Sequence, residues 1–236
     1  MRSLFVTATD TGVGKSVLSA ALLAAMVARG ERVRAYKPVV TGLEDAAEIA
    51  ARGVWPADHE LLASVAEMAS DEVAPLRFGP AVSPHLAAQM ARTVIEPAQL
   101  IANARVNEPA GTLVVEGVGG LLTPLADDYS VCDLAVALAL PVLIAARPGL
   151  GTINHTLLTV RAARTAGLHV RAVVLTPWPA TPTQMERSNR TSIARLGAVP
   201  VEGLRRVAGP SPAELARAGA PLVRALLGES GAQFPS

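Results

Sequence analysis

Six short apolar runs, each followed by a helical pattern, constrain the fold of this chain more than any other feature of its sequence. The runs are almost continuously apolar, which is typical of strands that are buried on both faces of a parallel sheet. They are Leu4–Thr7, Val33–Tyr36, Leu113–Val115, Val142–Ala145, Ala172–Leu175 and Ala198–Val201. Because strands that alternate with helices form βαβ units, we expect an α/β fold with a single doubly wound, mostly parallel sheet.

Helical segments lie between these runs, and glycines end several of them. Lys15–Arg29 and Thr156–Ala166 are two predicted helices, and Gly30, Gly167 and Gly197 follow helical patterns as predicted C-caps. No repeat or linker divides the chain. The sequence therefore predicts one domain over residues 1–227, with a flexible polar tail at 228–236.

The composition excludes several classes of partner. The 21 Lys and Arg residues nearly balance the 20 Asp and Glu residues, so the net charge of +1 offers no field that would attract nucleic acid. The longest strongly apolar runs without charge, Ser16–Ala28 and Leu134–Ala146, are shorter than the roughly 18 residues of a membrane span. The single cysteine, Cys132, excludes an internal disulfide. We expect a cytoplasmic protein with neither nucleic acid nor membrane as a partner.

A glycine-containing turn lies between the first predicted strand and the first predicted helix. Residues 8–16 read ATDTGVGKS, in which two glycines let backbone N–H groups turn toward a phosphate at the positive end of the helix. Lys15 would reach the β- and γ-phosphates, and the Ser16 hydroxyl would bind Mg²⁺. A turn that merely caps the helix is the alternative. The predicted nucleotide-binding residues here are Thr11, Gly12, Val13, Gly14, Lys15 and Ser16.

This loop departs from the common pattern G-x-x-x-x-G-K-[ST], because Thr9 stands at its first glycine. It agrees better with G-T-x-T-x-V-G-K-T, the loop of dethiobiotin synthetases. Four further segments match that family in order: KPVVTG at 37–42, SPH at 83–85, VEGVGG at 115–120 and GLGTINHT at 149–156. The chain thus resembles dethiobiotin synthetases from about Ser3 to Pro200, which implies a fold of the P-loop NTPase type.

The resemblance implies a reaction and its cofactors. Family members use ATP and Mg²⁺ to close the ring of 7,8-diaminononanoate with CO₂, giving dethiobiotin, ADP and phosphate. A carbamate forms first, its oxygen takes the γ-phosphate as a mixed anhydride, and the second amine closes the ring. The protein must therefore gather two anions and neutralise charge during phosphoryl transfer.

The resemblance also assigns catalytic and metal-binding residues. Lys15 and Lys37 are the two cations that the family places against the phosphates and the carbamate, although Lys37 could be an ordinary solvated lysine. Ser16, Asp58 and Glu116 are the predicted Mg²⁺ ligands, because that ion prefers hard oxygen donors. Glu44 and Asp45 compete with Asp58 for the position after Thr41, and Asp10 is an alternative ligand within the loop.

Substrate-binding residues are carried over in the same way. Thr11 and Thr41 would hold the diamine and carbamate end, together with Lys37. In the family, the segment containing Gly151, Thr152 and Asn154 reaches the site from the other subunit of a homodimer, with a residue that aligns with Asn189. Helix capping by Asn154 is the alternative to a ligand contact.

The sequence departs from the family most at the base site. Many members have an Asn-Asp pair after the fifth strand, and here Thr176 stands where that Asn would be. A hydroxyl cannot supply the paired donor and acceptor of an amide, so we expect weak discrimination among nucleoside triphosphates. Pro200 and Val201 are predicted to form the other wall of the base site. Trp178 could stack on the base or pack in the fold.

Proteins with other functions have a similar phosphate loop. Partition and septum-placing ATPases are dimeric switches with the same architecture, but they usually carry an early lysine, which Thr9-Asp10-Thr11 lacks. They also tend to have an amphipathic membrane helix, whereas Ala213–Leu227 is short and predicts a helix of the domain. A cobyrinate-type amide synthetase and a relative without catalysis are further alternatives.

Overall fold

A computed structural model describes residues 3–107 and 111–227. Its strands are β1 Leu4–Ala8, β2 Val33–Tyr36, β3 Val39–Val40, β4 Leu76–Arg77, β5 Thr112–Glu116, β6 Pro124–Ala126, β7 Tyr129–Ser130, β8 Val142–Ala146, β9 Val170–Trp178 and β10 Val201–Arg205. Its helices are α1 Lys15–Val27, α2 Ala46–Arg52, α3 Asp58–Ala66, α4 Ser70–Val73, α5 Pro84–Met90, α6 Pro97–Asn107, α7 Val131–Leu138, α8 Thr152–Thr165, α9 Gln184–Gly197 and α10 Pro212–Leu227. The predicted tail at 228–236 lies outside these ranges.

Six strands form one parallel sheet in the order β10-β9-β8-β1-β5-β2. β1 is central and pairs with β8 on one side and β5 on the other, so that Val6 lies beside Leu143 and Glu116. Two pairs of short strands, β3 with β4 and β6 with β7, lie outside this sheet. The predicted doubly wound parallel sheet is confirmed.

Helices cover both faces of the sheet because the strand side chains alternate. Leu4 and Val6 of β1 point to a core shared with α1, α3 and α10, whereas Phe5 points to a core shared with α5 to α9. Both cores consist mainly of Ala, Val and Leu. The two layers hold the carboxyl ends of the strands at a common edge, where ligands bind in folds of this type.

Helix α1 is enclosed by its neighbours, and α10 contacts it closely. A Cβ atom at Gly219 of α10 would overlap the carbonyl oxygen of Ala21. Ten of the thirteen residues of α1 are buried, from Lys15 to Met26. The helix that begins at the glycine-containing loop is therefore held firmly by the core.

The structure shifts some predicted boundaries. The last strand begins at Val201 instead of Ala198, because Ala198 caps α9 with a left-handed φ of 43°. The predicted C-cap Gly197 is therefore the last residue of the helix. Gly30 and Gly167 do adopt positive φ, at 77° and 80°. Among the helices described, none has the length and apolarity that crossing a membrane requires.

Candidate active site

The loop between β1 and α1 has the geometry of an anion site. Ala8 ends β1, and α1 begins at Lys15 after Gly14, whose φ is 100°. Gly12 also has a positive φ, of 67°. No side chain caps the amino end of α1, so its first N–H groups stay available to a phosphate.

Lys15 lies inside this loop. Its Nζ donates to the carbonyl oxygen of Asp10 at 3.1 Å, and the residue is only 7% exposed. Burial, helped by repulsion from Lys37, lowers the pKa of Lys15 to about 8. The carboxylate of Asp10 accepts from the backbone N–H of Thr11, which supports a turn-capping role for this residue.

Glu116 joins the loop to Lys37. Its Oε1 accepts from Ser16 Oγ at 2.7 Å and from Lys37 Nζ at 2.5 Å. The side chain is fully buried at the carboxyl end of β5, and its Oε2 has no hydrogen-bond partner in the described structure. A buried carboxylate oxygen without a partner is costly unless a ligand satisfies it.

Asp58 completes the cluster from the start of α3. Its Oδ2 lies 3.0 Å from Lys37 Nζ, and about half of its side chain is exposed to the cavity (50%). Burial opposes ionisation, but the carboxylates of Asp58 and Glu116 raise the pKa of Lys37 above its usual value. For its part, the Lys37 ammonium holds the pKa of Asp58 below its usual range. Both groups are therefore charged at neutral pH.

Glu44 and Asp45, the alternatives to Asp58 as a Mg²⁺ ligand, lie outside the cavity. Asp45 caps α2 by accepting from the backbone N–H of Glu48 at 3.0 Å. Glu44 packs against Gly79, where a Cβ would have no room. Neither lines the cavity that Asp58 borders. The geometry therefore favours Asp58 over both.

A cavity of about 760 Å³ opens in front of the cluster. Loop residues, Lys37, Thr41 and Asp58 border it, and residues of α2 and the 118–124 segment form its other walls. Its polar lining includes Thr11, Lys15, Ser16, Lys37, Thr41, Glu48, Arg52, Asp58, Ser83 and Thr123. The cavity brings together the predicted catalytic lysines and places the acids beside them.

The oxygen donors of the cluster behind this cavity fit a magnesium ion. Ser16 Oγ, the Asp58 carboxylate and the unsatisfied Oε2 of Glu116 are hard oxygen atoms in one cluster. Among residues 3–107 and 111–227, no group of three or more His, Cys, Asp or Glu could hold a metal alone. This suits Mg²⁺, which usually takes one or two carboxylates and completes its shell with phosphate oxygens and water.

The predicted substrate residues fall into two groups. Thr11 and Thr41 line the cavity. Gly151, Thr152 and Asn154 do not, since they lie at the start of α8. Gly151 is the residue before that helix, so the alternative of Asn154 as its N-cap is wrong.

Asn189 ties α9 to the loop that precedes α8. Its amide donates to the carbonyl oxygens of Pro148 and Gly149, at 2.9 and 3.1 Å. A second cavity of about 500 Å³ separates the other side of the phosphate loop from α8 and is bordered by Thr11 and Thr159. The 149–154 segment thus has a fixed position outside the main cavity of its own chain.

The residues predicted to contact the nucleotide base do not all lie where the sequence predicts. The side chain of Thr176 lies close to the phosphate loop, 3.2 Å from where a Cβ of Gly14 would lie. Val201, however, pairs with Val173, three residues before Thr176, and its side chain is buried in the core. Val201 therefore lies level with Val173 and not with Thr176, which argues against the prediction that Pro200 and Val201 form a wall of the base site.

The part of β10 level with the end of β9 is Gly203–Arg205. A Cβ at Gly203 would lie 2.7 Å from the Trp178 ring, and the Arg190 guanidinium lies 5.7 Å from the centre of that ring. These contacts favour packing over base stacking as the role of Trp178.

Sequence reasoning missed two basic residues at the site. Arg147 follows β8 directly and donates to the carbonyl oxygen of Gly12 at 3.1 Å, so the rule that residues after parallel strands line the site could have found it. Arg52 lies at the end of α2 and lines the cavity. No motif marks α2, and its position could not be read from the sequence.

Comparison with known proteins identifies relatives along most of the chain. A family profile described as an AAA domain matches residues 2–204. The ATP-dependent dethiobiotin synthetase BioD of Bacillus subtilis (strain 168) is 34% identical over 207 residues, which cover 86% of this chain and 87% of the relative. The protein of the same name from Anaeromyxobacter dehalogenans is 40% identical over 178 residues, or 74% and 76% of the two chains.

Solved structures share the fold at low sequence identity. The MinC:MinD cell division complex of Aquifex aeolicus includes a chain with a TM-score of 0.56 and 13% identity, covering 100% of this chain and 99% of that one. Cobyrinic acid a,c-diamide synthase of Mycobacterium smegmatis, with a bound ATP analog and magnesium, gives a TM-score of 0.53, 16% identity and the same coverage. These similarities support a fold of the P-loop NTPase type.

Proposed function

The chain belongs to the family of ATP-dependent dethiobiotin synthetases, ligases that form carbon–nitrogen bonds, and from this premise we propose the reaction of its cavity. The substrates are 7,8-diaminononanoate, CO₂ and a nucleoside triphosphate, and the products are dethiobiotin, the nucleoside diphosphate and phosphate. The observation that carries the proposal is the cluster of Ser16, Lys37, Asp58 and Glu116 beside a phosphate loop.

The phosphate loop and Lys15 bind the triphosphate. The free N–H groups at the start of α1 face the β- and γ-phosphates, and Lys15 turns from the Asp10 carbonyl to the phosphate oxygens. The negative phosphates favour the charged form of Lys15, so binding opposes the effect of burial on its pKa.

Lys37 holds the carbamate oxygen that attacks the γ-phosphate. CO₂ adds to one amine, the N–C bond forms and the nitrogen gives up a proton to solvent. The charged ammonium of Lys37, held by Asp58 and Glu116 at the cavity wall, then positions the carbamate for transfer. The carbamate oxygen attacks the γ-phosphorus, the bond from that phosphorus to the β-phosphate oxygen breaks, and the nucleoside diphosphate leaves. The second amine then attacks the mixed anhydride at carbon and gives up a proton to solvent, the C–O bond to the phosphoryl group breaks, and phosphate leaves.

Magnesium is the cofactor that the donor set fits. Ser16, Asp58 and Glu116 would hold it, together with phosphate oxygens. When bound, it supplies neutralisation of the charge that builds up on the phosphates.

The substrate site extends to a second subunit. Gly151, Thr152 and Asn154 lie outside the main cavity of their own chain, which supports their action on the cavity of a partner in a homodimer. Asn189 would then fix the loop that carries them. Mixing Lys15→Ala subunits with Asn154→Ala subunits tests this arrangement. Recovery of activity in the mixture supports a shared site, and two inactive parents with an inactive mixture contradict it.

A switch ATPase is the competing function. The structures of that class share the fold at 11–16% identity, which says nothing about activity. The loop also lacks the early lysine that such switches usually carry.

The deciding experiment measures phosphate release with Mg²⁺-ATP and bicarbonate, with and without 7,8-diaminononanoate, and detects dethiobiotin by mass. Release that depends on the diamine and matches dethiobiotin in amount supports the synthetase. Phosphate release at the same rate with and without the diamine would indicate a switch ATPase instead. No release with either mixture would indicate a relative without catalysis.

A further inference from the structure

Helix α2 turns a polar face toward the cavity. Glu48, Ala51 and Arg52 border the cavity and are spaced so that they share one side of the helix. None of the seven residues of α2 is buried, and Arg52 is the least exposed of them. The face that α2 turns toward the cavity therefore adds no buried residue to the core.

Arg52 lies at the edge of the cavity, and most of the N–H groups of its guanidinium form no hydrogen bond in the described part of the chain. Its Nη2 donates to the carbonyl oxygen of Gly42 at 2.8 Å. In the described part of the chain this is its only hydrogen bond, and it forms no ion pair within 4.0 Å. Thr41, Gly42 and Asp58 line the same cavity as Arg52.

The other two cations that line the cavity are more buried than Arg52, and Lys37 is proposed above to hold the carbamate oxygen that attacks the γ-phosphate. Lys15 lies within the phosphate loop, and Lys37 is paired with Asp58 and Glu116. Arg52 adds a third positive charge to the cavity lining. Its planar fork fits a planar O–C–O group bidentately, and a carbamate is such a group.

We propose that Arg52 binds the carbamate of the carboxylated diamine at its O–C–O group. This role depends on the proposed function, because only that reaction generates a carbamate in the cavity. The guanidinium stabilises the negative charge that appears when CO₂ adds to the neutral amine and the nitrogen proton leaves to solvent. It therefore shifts the addition equilibrium toward the carbamate before any phosphate is transferred.

The test detects the carbamate directly. The whole protein is mixed with 7,8-diaminononanoate and carbon-13-labelled bicarbonate without nucleotide, and the bound carbamate carbon is followed by NMR. We expect Arg52→Ala to weaken carbamate formation about tenfold, while the Kd for ADP by calorimetry changes by less than about twofold. Arg52→Lys should lie between Arg52→Ala and the unaltered protein, because an ammonium keeps the charge but not the fork.

Two matched variants separate this role from a loss of charge. Glu48→Gln removes a negative charge from the same helix face and should strengthen carbamate formation. Arg217→Ala removes an arginine whose side chain is 75% exposed on α10 and should leave the carbamate signal unchanged. The apparent KM for bicarbonate in dethiobiotin synthesis should follow the NMR result in each variant.

A carbamate signal and a bicarbonate KM in Arg52→Ala equal to those of the unaltered protein would overturn the assignment, although dethiobiotin synthesis would stand. An equal loss of ADP binding and carbamate would also overturn it, since that pattern means general damage. If the unaltered protein makes no dethiobiotin, the proposed function itself fails.

Discussion

Lys37 Nζ and Ser16 Oγ donate to the same oxygen atom of Glu116, at 2.5 and 2.7 Å. One buried carboxylate oxygen thus connects the phosphate loop to Lys37, the lysine proposed to hold the carbamate. Ser16 is the second residue of α1 and Lys37 follows β2, so Glu116 fixes two elements that are distant in sequence. A change at Glu116 therefore affects both ends of the reaction.

Replacing Glu116 with Gln should lower kcat about 100-fold or more, because the neutral amide holds neither the Lys37 ammonium nor a Mg²⁺ ion as a carboxylate does. Steady-state kinetics with each substrate varied would measure this. Glu214→Gln, on the outer side of α10, is the matched control and should stay within about twofold. A Glu116→Gln enzyme with normal kcat would show that the carboxylate is not needed.

Nucleotide affinity should fall as the pH rises above about 8, where Lys15 of the nucleotide-free protein loses its proton. Phosphates favour charged Lys15, so binding near this pH should take up a proton. Calorimetric titration with ADP from about pH 7 to about pH 9.5, in buffers of different ionisation enthalpy, measures both effects. An affinity independent of pH over this range, without proton uptake, would contradict the lowered pKa of Lys15.

Lys15→Met should abolish nucleotide binding and yet stabilise the fold by about 1–3 kcal/mol at neutral pH. The pKa of Lys15 is about 8 in the folded protein against 10.5 when unperturbed, so charging it destabilises the folded state. That penalty is full below pH about 8 and disappears as the pH rises toward 10.5. Urea unfolding at pH about 7 and about 10.5 should therefore show a difference between the two proteins that shrinks at the higher pH.

Thr176 should leave the enzyme with little preference among nucleoside triphosphates. Its hydroxyl and methyl group lie against Gly14 and cannot pair with a base edge as an amide would. We expect kcat/KM values for ATP, GTP and CTP within about tenfold of one another, and a gain for ATP in Thr176→Asn. A preference for ATP well beyond tenfold in the unaltered enzyme would make this prediction wrong.

Gly219→Ala should destabilise the protein by about 1–3 kcal/mol, since the added methyl group would overlap the Ala21 carbonyl. Gly209→Ala is the matched control, because nothing lies within 4 Å of a Cβ there and its φ is not positive. Urea unfolding of both variants gives the comparison. Equal stability of the two would mean that α10 can shift away from α1 without cost.

The sheet and the centre of the site could be predicted because local signals and topology agree. Continuous apolar runs define the parallel strands, and polar residues just after them meet at one edge. Lys37 and Glu116 satisfy this rule, since they follow and end neighbouring strands. Asp58 required the resemblance, because it lies on a helix that no strand positions directly.

Other features depend on contacts that the sequence does not display. The run 198–201 is apolar, but Ala198 is needed to cap α9, so β10 starts later and residues 203–205 lie level with the end of β9. Asn189 binds carbonyl oxygens about forty residues earlier, a pairing set by the packing of α9 beside α8. Arg52 belongs to a helix without an apolar stripe, and periodicity could not reveal which side faces inward.

The two walls of the cavity differ in how much sequence change they tolerate. The wall formed by α1 is part of the core, so most substitutions there cost folding free energy. The wall formed by α2 has no buried residue, so insertions, deletions and exchanges within Ala46–Arg52 leave the core intact. Substitution of the α2 residues that border the cavity, other than Arg52, can therefore alter its lining without unfolding the protein, whereas the wall formed by α1 has no such freedom.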